Sequence, residues 1–452
     1  MKRLLVANRG EIAVRIIRTA QELGLETVLA ASEADRESFA AQLSDLVTVI
    51  GPAQAGQSYL NSAALIDAVR SSGADAVHPG YGFLSEDAEF ARSVLKSGAI
   101  WVGPSPESID LMGNKAQARQ AAKEAGVPVL AGSDGALQPD DDAAEVAERV
   151  GYPLLIKASA GGGGRGIRLV TSAKDLQGEL QLAVAEAGAA FGDSAVYFER
   201  FIDKARHVEV QILGDGKDVV HLFDRDCSLQ RRNQKVLEET PAPNLPAALR
   251  DQMLTAAVQL ARACNYQGAG TVEFLYDAAR GEICFIEMNT RLQVEHPVTE
   301  MITGIDLVRE QLRIAGGERL GYQQSDITRT GHAIEIRINA ESPSQNFMPS
   351  PGTITDIRWP GGPGVRIDSG VVSGSTVSPY YDSLLAKVVV WHSDRTAAIA
   401  RARRALSELR VEGVETTTEY LESVLSHPSV REGNHHTKFL ESAADQLLQG
   451  IS

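Results

Sequence analysis

Phe285-Ile286-Glu287-Met288-Asn289-Thr290-Arg291-Leu292-Gln293-Val294-Glu295-His296-Pro297 is the stretch whose alternation decides how this chain reads. Every second residue from Glu287 is polar: Glu287, Asn289, Arg291, Gln293 and Glu295. Those between are mostly apolar: Ile286, Met288, Leu292 and Val294. Side chains of an extended strand alternate faces, so the spacing predicts a strand with one face in a core and one lined by hydrogen-bonding groups. An ordinary half-buried strand would show the same period with a solvated face. Here the polar face holds carboxylates, carboxamides and a guanidinium without Lys, Ser or Thr, a selection suited to ligands more than to water. Eight extended residues span roughly 27 Å, longer than one small substrate, so the strand is expected to bend or to serve two ligands.

Working outward, Thr271-Val272-Glu273-Phe274-Leu275 pairs with this stretch across a turn at 277–281. If Glu273 faces Glu287, two like charges lie opposite one another, which destabilises a sheet. A divalent cation with oxygen ligands removes that penalty, and Asn289 can add an oxygen. Glu273, Glu287 and Asn289 are therefore a candidate metal site. Before them, 206–212 alternates with His207, Glu209 and Gln211 on one face. Residues 226–235, ending Gln230-Arg231-Arg232-Asn233-Gln234-Lys235, are polar and basic, with Gln, Asn and Lys converging as a polyanion would require.

Pro153-Leu154-Leu155-Ile156-Lys157-Ala158 is a buried-type strand carrying one lysine. It is followed by Gly161, Gly162, Gly163, Gly164, Arg165 and Gly166, then a second strand at 167–170. GxxxxGK[ST] is absent, and the formal GxGxxG match precedes a strand, not the helix that dinucleotide binding requires. Consecutive glycines incur a large ordering entropy with no packing return, so a hairpin tip whose amides fold over phosphates is the better reading, with Lys157 supplying charge. Lys115 opens a helix at 116–125, against the dipole preference for acids there, as an anionic ligand would tolerate. Glu199 lies in a strand pattern at 196–202, at the junction of strand and linker, where an acceptor suits an adenine amino group.

The N-terminal part alternates strand and helix: strands at 4–8, 27–31, 74–78 and 100–102, helices at 12–23, 64–72 and 90–97. That is a parallel sheet, and the loop His78-Pro79-Gly80-Tyr81-Gly82-Phe83-Leu84-Ser85-Glu86 follows a strand end, where open α/β sheets place ligands. Beyond 330 the pattern becomes strands at 332–340, 353–358 and 384–391, a helix at 397–409 and a largely helical tail. Arg337 sits in an Ile-rich strand and is expected to pair with Asp382 or Glu295.

At 452 residues the chain is too long for one core, and about three domains are expected. Hydrophobic residues make up 43% and charged residues 23%, a globular composition. The net charge of −15 argues against sequence-independent nucleic-acid or anionic-membrane binding, which needs clustered Lys and Arg. Cys227, Cys264 and Cys284 show no zinc or disulfide spacing, and neither a signal peptide nor a membrane-spanning run is present. A cytoplasmic location is expected.

Two lysines, a Gly-rich hairpin and Glu…Glu-x-Asn on adjacent strands resemble the ATP-grasp superfamily. Ala7-Asn8-Arg9-Gly10-Glu11-Ile12-Ala13 together with 78–86, 158–166, 225–235 and 287–300 resembles the biotin carboxylases over essentially the whole chain. In length it is most similar to the free-standing subunit of bacterial acetyl-CoA carboxylase, the enzyme of fatty acid biosynthesis. The segment 230–243 is similar to urea carboxylase-type members. The resemblance implies an α/β and α+β protein of ATP-grasp fold. It would have an N-terminal Rossmann-like parallel-sheet domain over 1–112, an ATP-grasp domain over 113–330 with a mobile lid at about 130–203, and a C-terminal mixed β/α domain over 331–445.

It also implies roles. Lys115 and Lys157 would hold ATP phosphates beneath the lid glycines; Glu199 and Ile202 would meet adenine, with His207, Gln230 and Asn233 near ribose or phosphates. Glu273, Glu287 and Asn289 would hold Mg²⁺ or Mn²⁺. Lys235, Arg291, Gln293 and Val294 would bind bicarbonate, Glu295 would deprotonate it, and Arg337 would stabilise the biotin enolate with Tyr81 close by. Many members have His at the position of Asn233. No Ala-Met-Lys-Met sequence occurs, so biotin is expected on a separate biotin carboxyl carrier protein, with a carboxyltransferase component downstream and a homodimer as the assembly. The acceptor stays open among acetyl-CoA, another acyl-CoA, pyruvate and urea. Another ATP-grasp ligase and an ATP-binding sensor with decayed chemistry are the rival readings.

Overall fold

In the computed structural model, which describes residues 1–133, 135–138, 140–159, 167–191 and 193–449, the N-terminal alternation folds as a parallel sheet. Its strands are β1 (Arg3–Val6), β2 (Glu26–Ala31), β3 (Leu46–Val49), β4 (Ala76–His78) and β5 (Ile100–Trp101), in the order β3-β2-β1-β4-β5. Parallel pairing needs crossovers, and the helices Gly10–Glu22, Ser62–Ser72 and Ala88–Lys96 supply apolar faces for both sides. Leu5, Val28 and Val77 pack with Leu65, Val69 and Phe90 on one face; Leu4, Val6 and Leu29 pack with Ile12, Ile16 and Ile17 on the other. The loop after β4 is pinned by Asn8, whose Nδ2 donates to the carbonyls of Pro79 and Tyr81, both at 2.7 Å. Gly80, with φ +64°, lies so close that a Cβ there would meet Asn8 Nδ2 at 2.9 Å, so only glycine fits.

Strands β6 (Leu154–Ala158), β7 (Ile167–Val170) and β8 (Val196–Arg200) form a small antiparallel sheet in the order β7-β6-β8. A larger sheet contains β9 (Arg206–Asp215), β10 (Val219–Arg231), β11 (Gln234–Thr240), β12 (Gln267–Asp277), β13 (Glu282–Asn289) and β14 (His332–Asn339). Its order is β13-β12-β9-β10-β11-β14, followed by the strands Leu384–His392 and Val365–Ser369, with every neighbouring pair antiparallel. The basic segment 226–235 is thus the tip of the β10–β11 hairpin. Arg232 and Asn233 both have positive φ there, as a two-residue turn matched to strand twist requires. On β14, Ile334, Ile336 and Ile338 pack against Val388, Val390 and the helix Arg395–Glu408, each buried side chain contributing about 1.5–3 kcal/mol. Glu335 and Arg337 face the other way.

The alternation at 285–297 is a strand only as far as Asn289; Glu295 is the N-cap of the helix His296–Thr303, with Pro297 in its first turn. The bend has a packing cause. Met288 sits in the core around β9 and β12, whereas Leu292 inserts among Ile12, Ile16 and Leu29 beside the N-terminal sheet. Ile286, expected in a core, is 37% exposed and lines the cleft. Among the described residues no helix is long and apolar enough to cross a membrane.

A buried ion cluster joins β11 to the C-terminal helices. Glu239 accepts from Arg395 Nε at 2.6 Å and Nη2 at 2.9 Å, and lies 2.7 Å from His332 Nε2. Burial opposes its ionisation, but these partners outweigh that and lower its pKa from 4.5 to about 2. Because the folded value is depressed, its stabilisation is complete above the unfolded value and is lost as pH falls through the folded one; its size is about 3 kcal/mol. The urea midpoint of the wild type should exceed that of Glu239→Gln at pH 7, with the gap closing on acidification between the two pKa values. A gap independent of pH would rule this linkage out.

Candidate active site

A cleft of about 730 Å³ opens between the loop after β4 and the polar face of the large sheet. It is lined by Tyr81, Lys115, His207, Gln230, Asn233, Lys235, Glu273, Glu287, Asn289, Arg291, Gln293, Val294, Glu295 and Arg337. These are most of the residues that the sequence singled out. Lys157 and Glu199 stand apart: they are ion-paired with each other on the small sheet, from adjacent strands β6 and β8, and Ile202 follows β8. Gly161, Gly162, Gly163, Gly164, Arg165 and Gly166 lie outside the described residues.

Register explains the charge density. Arg225, Glu209, Glu273 and Glu287 are successive cross-strand partners on β10, β9, β12 and β13. Three carboxylates side by side would repel, and two cations, Arg225 fully buried and Lys235 partly buried, offset this. Arg225 donates to Glu209 Oε1 at 2.6 Å, Gln211 Oε1 at 2.6 Å, Thr299 Oγ1 at 2.9 Å and Thr271 Oγ1 at 3.1 Å. Lys235 Nζ reaches Glu295 Oε1 at 2.6 Å, Glu209 Oε2 at 2.7 Å and Glu273 Oε1 at 3.2 Å. Burial disfavours its ammonium, yet Cys227, Glu209, Glu295 and Glu273 raise its pKa well above the lysine range.

Glu295 is fully buried between two cations. Lys235 holds one oxygen, and Arg337 Nη2 donates to the other at 2.9 Å while also pairing with Glu238. Burial would raise its pKa, but Lys235, Arg337 and Arg225 outweigh that and hold it well below the carboxylate range. Of the two acids expected for Arg337, Glu295 is the one it meets. Glu273 is likewise depressed, burial being overcome by Lys235 and by His207, whose Nε2 lies 2.9 Å away.

The segment after β13 is held from both sides. Glu86, in the loop after β4, accepts from Thr290 N at 3.0 Å and Arg291 Nε at 2.9 Å. Arg291 also donates to Gln293 Oε1 at 3.1 Å and Asn289 Oδ1 at 3.2 Å. Lys387, fully buried, donates to the Val294 carbonyl at 2.8 Å and lies 3.1 Å from Glu11, which also accepts from the Tyr81 hydroxyl. Glu86, Glu209, Arg225, Glu238 and Lys387 were not singled out as site residues. Lys387 carried a legible signal, one lysine inside Leu384-Leu385-Ala386-Lys387-Val388-Val389-Val390, as Lys157 and Arg337 did.

Glu273 and Glu287 are register partners, as the hairpin predicted, and Asn289 Nδ2 donates to Glu273 Oε1 at 2.8 Å. Two carboxylates and a carboxamide oxygen are a donor set that fits a hard divalent cation. Glu273 is also within a second group, the ligand atoms of His207, Glu209 and Glu273 lying within 4.8 Å of one another. Glu287 lies 3.7 Å from Lys115 Nζ.

Residues 1–109 match the biotin carboxylase N-terminal domain, 114–323 the ATP binding domain of the carbamoyl-phosphate synthase L chain, and 335–442 the biotin carboxylase C-terminal domain. The chain is 51% identical to biotin carboxylase of Pseudomonas aeruginosa and 49% identical to biotin carboxylase 1 of Bacillus subtilis, covering 98% of both chains in each case. Among solved structures it is similar to the biotin carboxylase domain dimer of Hydrogenobacter thermophilus 2-oxoglutarate carboxylase, in complex with MgADP, ADP and bicarbonate. The TM-score is 0.87 at 44% identity, covering 99% of this chain and 98% of that one. With the ATP-grasp fold and full-length matches to all three parts, this chain belongs to the biotin carboxylase family of ATP-dependent ligases.

Proposed function

We propose that the residues of the cleft divide the biotin carboxylase half-reaction between a phosphate side and a bicarbonate side. The observation that carries this reading is Glu295, a buried anion with a different cation on each oxygen. A base in that position is ionised and aimed, but weakly basic while both cations hold it. Bicarbonate entering among Arg291, Gln293, the Val294 backbone and Lys235 draws Lys235 away, and Glu295 gains basicity as the substrate acquires a cation. Deprotonated bicarbonate then attacks the γ-phosphorus of ATP, the bond to the β–γ bridging oxygen breaks, and carboxyphosphate and ADP result.

Lys115 and Lys157 neutralise phosphate charge. Glu199 and Ile202 receive adenine, with His207, Gln230 and Asn233 toward ribose or phosphates and the glycines at 161–166 as cover against water. Glu273, Glu287 and Asn289 would hold Mg²⁺ or Mn²⁺, which when bound offsets charge on the β- and γ-phosphates. Arg337, beside Tyr81, favours the enolate form of biotin, a weak acid at its ureido nitrogen. The working protein is a cytoplasmic homodimer whose partners are a biotin carboxyl carrier protein and a carboxyltransferase. Its acceptor is acetyl-CoA in fatty acid biosynthesis, or alternatively another acyl-CoA, pyruvate or urea. The half-reaction is divided among units at 1–112, 113–330 with a lid near 130–203, and 331–445.

The purified chain should release ADP in a bicarbonate-dependent reaction that free biotin stimulates. ADP release stimulated by an amino acid, and indifferent to biotin, would sink the proposal.

A further inference from the structure

Behind the cleft, β11 and β14 put Glu238 directly opposite Glu335. Both side chains are fully buried, and neither lines the cleft. Two carboxylates facing each other across an antiparallel pair in a dry interior cannot both carry charge unless each has its own cation. Their surroundings differ. Glu238 is ion-paired with Arg337 through Nη2, the nitrogen that also donates to Glu295. Hydrogen-bond geometry leaves the oxygens of both acids without a partner, so the Arg337 ion pair is what separates them; Glu335 makes no ion pair among the described residues.

The charged and titratable groups facing Glu335 are Glu238 from β11, Arg337 on its own strand, Lys387 from Leu384–His392, Glu295 at the start of the helix His296–Thr303, and Tyr81. The helix Arg395–Glu408 packs on the opposite, apolar face of β14. Both cations are already engaged, Arg337 by Glu238 and Glu295, and Lys387 by Glu11 and the Val294 carbonyl. An ionised Glu335 would be a buried charge with no donor, which proteins avoid by neutralising the group.

We propose that Glu335 stands as a neutral carboxylic acid and Glu238 as the anion, so that Glu238 is a positioning residue holding the Arg337 guanidinium against Glu295. A proton retained by Glu335 removes the repulsion that would push Glu238 away from Arg337. Burial is the largest cause in both groups and raises Glu335 well above the carboxylate range and Glu238 to about 7, with Lys387 pulling the first back and Arg337 the second, so that of the two acids Glu335 holds its proton more firmly. The charge assignment is independent of the reaction, whereas the positioning role rests on Arg337 and Glu295 acting as assigned above.

The test uses the full chain. Infrared difference spectra of wild type against Glu335→Gln should show loss of a protonated-carboxyl carbonyl band at neutral pH. Since an amide replaces a neutral acid, Glu335→Gln should fold and keep biotin-dependent ADP release within about twofold. Glu238→Gln should lower kcat by about tenfold with the KM for ATP unchanged, a split that a general loss of structure would not give. Absence of the carboxyl band overturns the charge assignment, as does a Glu335→Gln protein that misfolds or falls as far as Glu238→Gln. An unimpaired Glu238→Gln overturns the positioning role. If Arg337→Ala is then also unimpaired, the assignment of Arg337 itself has failed.

Discussion

Replacing Glu295 with alanine should lower biotin-dependent ADP release by about 10²–10⁴-fold, the range over which a positioned base contributes. The loss should be in kcat, with nucleotide binding by calorimetry retained. The cluster permits this separation. Without Glu295, Lys235 still has Glu209 and Glu273, and Arg337 still has Glu238. No cation is left alone in the interior, so the fold is expected to survive the loss of the base. Turnover close to wild type would refute the base assignment; loss of nucleotide binding together with turnover would mean that Glu295 is structural.

Arg225→Met should be the most destabilising change among the charged groups beneath the cleft. Arg225 is fully buried, and its donors reach Glu209, Gln211, Thr271 and Thr299, tying β9, β10, β12 and the helix His296–Thr303 together. Removing it leaves the buried Glu209 carboxylate next to Glu273 and dependent on Lys235, which Glu273 and Glu295 also engage, and breaking a buried pair in this way costs about 3–5 kcal/mol. Urea unfolding measures it. Adding Glu209→Gln to Arg225→Met should recover part of the loss, because the two residues are in contact and their effects do not add. A loss below about 1 kcal/mol, the scale of a surface pair, would show that the cluster does not depend on this residue.

These effects also mark where reading the residues alone runs out. Single charged residues in apolar strands, Lys157, Arg337 and Lys387, can be seen as unusual without coordinates. So can the alternating His207, Glu209 and Gln211. What cannot be seen is register. That Glu209, Glu273 and Glu287 fall in one row depends on which residue of each strand lies opposite which, and one step of slippage would turn every side chain to the other face. Arg225 lies between Asp224 and Asp226 in sequence and looks like part of a solvated charge run. Only the pairing of β10 with β9 makes it the counter-ion of Glu209.

By itself the sequence determined the strand–helix alternation of the N-terminal part, the Glu273–Glu287 hairpin and the expectation that the stretch from Glu287 to Glu295 bends or serves two ligands. Local periodicity and turn chemistry are written in neighbouring residues, and the family resemblance added roles to them. The tertiary structure alone decided that the stretch bends. Met288 belongs to one core and Leu292 to another, so the chain must leave the sheet at Asn289 and turn, and Glu295 arrives at a helix start between Lys235 and Arg337. Those two cations come from β11 and β14, adjacent in space but separated in sequence by β12, β13 and the helices between. No spacing along the chain encodes their meeting; it follows from packing apolar residues that lie far apart in sequence.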